Sequence, residues 1–143
     1  MPEGRFRITV DESPSQKDRD VVVEGLLQFN IPYIGHPNPA SLGAFIRDES
    51  GNAIGGLVGQ IKWRWLYIEK LWIPDEVRGK GLGKKLMLDS EDFARTRGCV
   101  GIRVDTFEYQ ALEFYKSLGY EQFGVNEGYP PGYRQFHLRK PLT

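Results

Sequence analysis

The residues best placed to do chemistry run Arg78-Gly79-Lys80-Gly81-Leu82-Gly83-Lys84, three alternate glycines interleaved with basic side chains. Glycine permits dihedrals and close approaches that a side chain forbids, so several backbone N–H groups can converge on one point. If a helix begins directly afterwards, its positive end adds to them, and the result is a place to hold phosphate. Spacing narrows which phosphate. A Walker A loop needs a hydroxyl after Gly83-Lys84, but Lys85 follows and offers nothing to magnesium. The dinucleotide fingerprint Gly-x-Gly-x-x-Gly begins at Gly79-x-Gly81 and then meets Lys84 in place of its third glycine, so a Rossmann cofactor is not expected. What remains is Arg78-x-x-Gly81-x-Gly83, a pattern that a plain strand-to-helix turn could also produce.

The flanking elements must position that loop. Upstream, residues 66–73 are aromatic and β-branched enough for a strand; downstream, Leu82, Leu86 and Phe93 recur at helical spacing, giving a helix over 82–97 that stops at Gly98. A strand over 100–105, a short helix over 110–118 closed by Gly119, and strands over 120–125 and 133–139 complete that half. In the first half, residues 6–10 alternate as an edge strand. Ser13-Pro14, with Gln16 completing a capping box, starts a helix over 14–30 whose core stripe is Val22, Leu26 and Phe29, and Pro32 ends it. Residues 33–39 form a loop in which His36 reads as solvated. Strands over 42–47 and 53–62 flank a polar turn at 48–52. The layout is α+β, and the crossover helix calls for right-handed parallel pairing of the strands at 66–73 and 100–105. Period two places Tyr67, Glu69, Leu71 and Ile73 on one face of the first of these, with Leu66, Ile68, Lys70 and Trp72 on the other.

Composition bounds the function. A chain of 143 residues is long enough for one domain, residues 1–143, with a real core. Its 19 basic and 19 acidic side chains balance, so no global field recruits nucleic acid or anionic lipid. The single cysteine, Cys99, reads as core and suits a reducing compartment, and with only His36 and His137 beside it no metal site is expected. No apolar run approaches a membrane span and the amino terminus lacks a signal-peptide pattern, so a cytoplasmic protein is expected.

Two motifs in order carry a resemblance. Arg78-x-x-Gly81-x-Gly83 resembles the Arg/Gln-x-x-Gly-x-Gly/Ala pyrophosphate loop of the GNAT superfamily of N-acetyltransferases. Ala111-x-x-Phe114-Tyr115-x-x-x-Gly119-Tyr120 resembles that superfamily's Asn-x-x-Ala-x-x-x-Tyr-x-x-x-Gly-Phe/Tyr motif. The match is strong over residues 66–125 and rests on layout elsewhere, and Glu108 stands where the family often has asparagine. The resemblance implies the GNAT fold: a mixed sheet of six to seven strands with about four helices, splayed at a parallel pair where acetyl-CoA binds. It implies that the amides of Arg78, Gly79, Lys80, Gly81, Leu82, Gly83 and Lys84 hold the pyrophosphate. Leu71, Trp72 and Ile73 would hydrogen-bond the pantetheine arm, and the positions of Glu108, Ala111 and Phe114 would also meet the coenzyme.

Acetyl transfer moves two protons. The resemblance makes Tyr115 the acid that protonates the departing coenzyme thiolate, although the tyrosine could simply be core. The acceptor amine, with a pKa of about 10.4 if lysine-like, costs roughly 4 to 5 kcal/mol to deprotonate at neutral pH, so a base is useful. Glu69, the only carboxylate in its strand, is the candidate; a water chain or a merely solvated Glu69 is the alternative. The fold implied puts the acceptor beside Tyr33, Glu127, Tyr129 and Tyr133, π faces and negative charge that suit a cation. A small amine, polyamine or amino-sugar is expected. A protein or peptide acceptor, a coenzyme-binding sensor that has lost catalysis, and a plain structural domain are the other readings, and the last hairpin offers an edge that could pair across a homodimer.

Overall fold

The computed structural model describes residues 3–142. They divide into two compact units, Met1–His36 and Pro37–Thr143. In the first, a 3₁₀ turn at Glu3–Arg5 precedes helix α1, Gln16–Ile34. Residues 6–10 are not a strand: Phe6, Ile8 and Val10 are exposed, and alternation without a partner leaves the backbone donors unpaired. The helix is capped by Ser15 rather than Ser13, its hydroxyl accepting from the Asp18 N–H at 3.0 Å, while Gln16 bonds Asp20 instead of closing a capping box. Pro32 does not end α1. It removes one N–H in the last turn, and the helix runs on to Gly35, whose N–H reaches the Ile31 carbonyl at 2.8 Å. Val22, Leu26 and Phe29 are exposed rather than core: helical spacing marks a stripe but not a partner.

The second unit holds a six-stranded sheet in the order β1-β2-β3-β4-β6-β5. Strands β1 (Ala40–Arg47) and β2 (Ala53–Lys62) form the expected hairpin, its turn held by the Asp48 carboxylate, which accepts from the Ser50 and Asn52 N–H groups. Strand β3 (Trp65–Trp72) pairs antiparallel with β2 and parallel with β4 (Gly101–Phe107), and helix α2 (Leu82–Thr96) makes the crossover between them. Helix α3 (Leu112–Ser117) leads into β5 (Glu121–Glu127) and β6 (Arg134–Pro141), which inserts between β4 and β5. Among the described residues three α-helices stand where about four were expected. The core is built from Leu57, Ile61, Leu66, Ile68, Ile102, Val104 and Leu138 of the strands, Leu86, Met87 and Ala94 of α2, and Tyr115 of α3; Cys99 is buried with them.

Two features of this sheet prepare the site. The β2–β3 register passes from Val58–Lys70 to Gly59–Ile68, so Glu69 is an extra, unpaired residue at a bulge. The bulge reverses parity. Leu66 and Ile68 before it and Leu71 and Ile73 after it all pack toward the core, whereas strict alternation had set the two pairs on opposite faces. Secondly, the β3–β4 ladder stops at Ile68–Val104 although β3 continues to Trp72 and β4 to Phe107, so the two strands part.

Gly56 tests the hairpin's packing. It has φ of 148°, and a Cβ there would sit 2.2 Å from the Ala44 carbonyl oxygen. Gly56→Ala is expected to cost at least about 1–3 kcal/mol through backbone strain alone, read as a lower urea midpoint.

Candidate active site

Where β3 and β4 part, a cleft of about 750 Å³ opens in the sheet. Its walls come from both faces. On the core side stand Ala111, Phe114 and Tyr115, carried by α3 and the residue before it; on the other side stand Tyr67 and Asp105, whose places alternate with the buried Leu66, Ile68, Val104 and Thr106. The exposed edge of β3, Glu69 to Ile73, runs along the cleft between them. Beyond Ile68 this edge has no ladder partner in β4, so its backbone donors and acceptors face the opening.

The glycine turn lies at the exit of β3. Gly81 is left-handed, with φ of 79°, and immediately starts α2. Gly83 is buried, and a Cβ on it would lie 2.8 Å from Ile73 Cδ1 and 3.3 Å from Phe114 Cζ, so α2 begins pressed against two cleft residues. The first-turn N–H groups of Leu82, Gly83 and Lys84 have no intrahelical acceptor. Arg78 lines the cleft, but its guanidinium is engaged: Nε donates to the Ile73 carbonyl at 2.7 Å and Nη1 pairs with Asp75 at 2.7 Å. Gly79 and the side chains of Lys80 and Lys84 are exposed beside the turn.

Tyr115 is 4% exposed, and burial pushes its hydroxyl up to about 12. The phenol is therefore protonated throughout the neutral range. Tyr67 is also raised, first by burial and then by the hydrogen bond to Asp105 and that carboxylate's charge. Glu69 is exposed at the bulge, within electrostatic reach of Tyr67.

Other expected positions fall differently. The Glu108 carboxylate is outside the cleft lining and is taken up by Arg134, accepting from its backbone N–H at 3.0 Å and from Nε at 3.2 Å; it fastens the end of β4 to the start of β6. Gln110 lines the cleft nearby, its Oε1 accepting from the Phe107 N–H at 2.8 Å. Tyr129 lines the cleft against Phe107, with ring centroids 5.6 Å apart. Tyr133 stands behind it, edge-on to the cleft residue Tyr109 at 5.0 Å. Glu127 ends β5, exposed and outside the lining, and Tyr33 belongs to α1 in the other unit. Sequence reasoning missed Tyr67, Asp105, Tyr109, Gln110 and Gln135 as cleft residues. Alternation does turn Tyr67 and Asp105 away from the core, but only the β3–β4 register brings them together. Among the described residues no group of three or more His, Cys, Asp or Glu could hold a metal, and no helix is long and apolar enough to cross a membrane.

A parallel pair that opens beside a glycine turn, with a buried tyrosine on α3, is the arrangement that the resemblance to GNAT acetyltransferases implied. Residues 7–120 match the Acetyltransferase (GNAT) family, and the chain belongs to it: it is an N-acetyltransferase, of a family that uses acetyl-CoA. It is 41% identical over 95 residues to blasticidin-S acetyltransferase of Streptomyces morookaense, covering 66% of this chain and 70% of that one. An acetyltransferase of Agrobacterium fabrum is 35% identical over 99 residues, 69% of this chain and 72% of its own. The crystal structure of an acetyltransferase from Bacillus cereus superposes with a TM-score of 0.83 at 29% identity, covering 93% of this chain and 97% of that chain.

Proposed function

We propose that the protein transfers the acetyl group of acetyl-CoA to the amine of a small cationic acceptor, a simple amine, polyamine or amino-sugar. The amine attacks the thioester directly, Tyr115 donates to the departing thiolate, and Glu69 or a water it holds takes the amine's proton. The observation that carries this reading is the cleft lined from both faces of the sheet, with the Tyr115 phenol on the core side, Asp105 and Tyr67 on the other, and Glu69 on the edge between. The turn at Gly79 to Lys84 supports coenzyme binding because it offers unpaired N–H groups and basic side chains at one helix start. The unpaired edge at Leu71, Trp72 and Ile73 supports a pantetheine arm lying there as an added strand. Tyr129 and the aromatic residues around it supply π faces to a cation.

The test is an acceptor screen with acetyl-CoA, read by thiol release, that includes blasticidin S because of the Streptomyces relative's name. Release with small amines is expected. Tight coenzyme binding without release on any acceptor would favour a sensor, and release only with basic peptides would move the acceptor class to protein. With an active acceptor in hand, Glu69→Gln is expected to lower kcat/KM and to delete one ionisation from the pH–rate profile. An unaltered profile hands the proton to water.

A further inference from the structure

Asp105 is the first β4 residue beyond the last β3–β4 ladder pair, so it stands where the two strands part and lines the cleft. Both its oxygens are held. Oδ2 accepts from the Tyr67 hydroxyl at 2.9 Å, and Oδ1 lies 2.6 Å from Nδ1 of His137, its direct partner across the β4–β6 ladder. A carboxylate offers about four acceptor sites, and these two neighbours use two of them. Among the described residues no lysine or arginine pairs with Asp105; Arg103, the nearest candidate by sequence, lies over the Tyr67 ring instead, 4.0 Å from its centroid. The Asp105 side chain is 21% exposed and that of His137 is 32%, so the anion is mostly withdrawn from water yet reaches the cleft.

We infer that Asp105 is the residue that binds the acceptor's ammonium group and so sets a preference for charged amines, with Tyr67 and His137 as positioning residues that fix its rotamer. This rests on the small-cation reading of the acceptor. Three observations carry it. A short carboxylate pinned from two sides cannot swing away to find solvent, so its remaining lone pairs are preorganised. Partial burial strengthens a charged hydrogen bond relative to one in water. And Asp105 lies on the face opposite Tyr115, so an amine held there approaches the thioester from the side away from the acid that protonates the leaving group. Glu69, exposed at the bulge, remains free to take the proton.

The experiment compares wild type with Asp105→Asn on the amine panel above and on an arylamine that is uncharged at the assay pH. A charge-assisted hydrogen bond lost from the site predicts a rise of about 10- to 100-fold in KM for the charged amines, with kcat for them, KM for acetyl-CoA and turnover of the arylamine each within about threefold of wild type. Tyr67→Phe and His137→Gln leave the carboxylate in place but loosen it, and each is expected to raise KM for the charged amines only, by a smaller factor; they keep the inference open to refutation should Asp105→Asn fold poorly. An equal loss on charged and neutral amines, or no loss on either, overturns the role given to Asp105 while leaving the small-cation reading intact. If wild type turns over the arylamine but none of the charged amines, or no amine at all, the small-cation reading fails, and the inference with it.

Discussion

Tyr115→Phe is expected to lower kcat by about 10²- to 10⁴-fold with little change in KM for acetyl-CoA. The substitution removes one oxygen and keeps the ring, whose edge contacts to Phe114 and Tyr120, with centroids 5.2 and 5.9 Å away, hold it in the core. Binding surface is thus preserved while the donor is lost. A phenol pushed to about 12 does not surrender its proton outright to a solvated thiolate, whose conjugate acid has a pKa of about 8.5, but a thiolate leaving beside the buried ring would be made more basic by the same desolvation. In the proposed mechanism the hydroxyl would act as a hydrogen-bond donor early in C–S cleavage, the proton following as charge collects on sulfur. An alkaline limb in the pH–rate profile below about pH 12 must come from another group. The shift also has a stability consequence. Its folded value exceeds the ordinary phenol value of 10.0, so as pH rises above 10 the unfolded chain loses the phenolic proton first, and stability falls until pH passes about 12. Tyr115→Phe should flatten that fall in urea midpoints measured across this window. An unchanged kcat would remove Tyr115 from the mechanism.

Glu91→Ala is expected to destabilise the protein by about 3–5 kcal/mol, toward the lower end. Glu91 sits on α2 at 1% exposure, with Oε2 accepting from the Tyr120 hydroxyl at 2.9 Å and Oε1 from Lys140 Nζ at 2.8 Å. It ties the crossover helix to β6 and to the residue leading into β5. Removing it strands a buried hydroxyl and an ammonium, although the Lys140 side chain, 21% exposed, can recover some hydration. Tyr120 is itself held well above the usual phenol range, first by burial and then by the Glu91 charge; burial persists in the variant, so ionising the phenol does not relieve the loss. Pairing Glu91→Leu with Lys140→Met removes both charges and should cost less than Glu91→Ala alone. Equilibrium urea unfolding distinguishes the two, and a single-variant loss below about 1 kcal/mol would show that the pair contributes little.

Much of the scaffold was legible because its signals are local. The turn at Asp48, the stop of α2 before Gly98, the glycine start of α2 and the parallel pairing of β3 with β4 each follow from a few adjacent residues or from the handedness of one crossover. The misreadings also have local causes. Ser13 and Ser15 are both credible caps, and only the 3.0 Å bond from the Asp18 N–H chooses between them. Residues 6–10 alternate, but no described strand pairs with them. At 108 the residue type differs from the family motif, and the carboxylate there is engaged by a partner 26 residues away, Arg134.

By itself the sequence determined the family: a glycine turn opening a helix, followed by a tyrosine motif, is short-range information, and its resemblance to GNAT acetyltransferases, a family that uses acetyl-CoA, agrees with the family match over residues 7–120. The tertiary structure alone decided how the cleft face opposite Tyr115 is built. An unpaired Glu69 reverses the parity of β3, and the registers of β3 with β4 and of β4 with β6 bring Tyr67, Asp105 and His137 together from three strands. No periodicity within one strand reports which residue of another lies opposite it, because register is a pairing between distant segments, and a single extra residue in either one turns every later side chain to the other face.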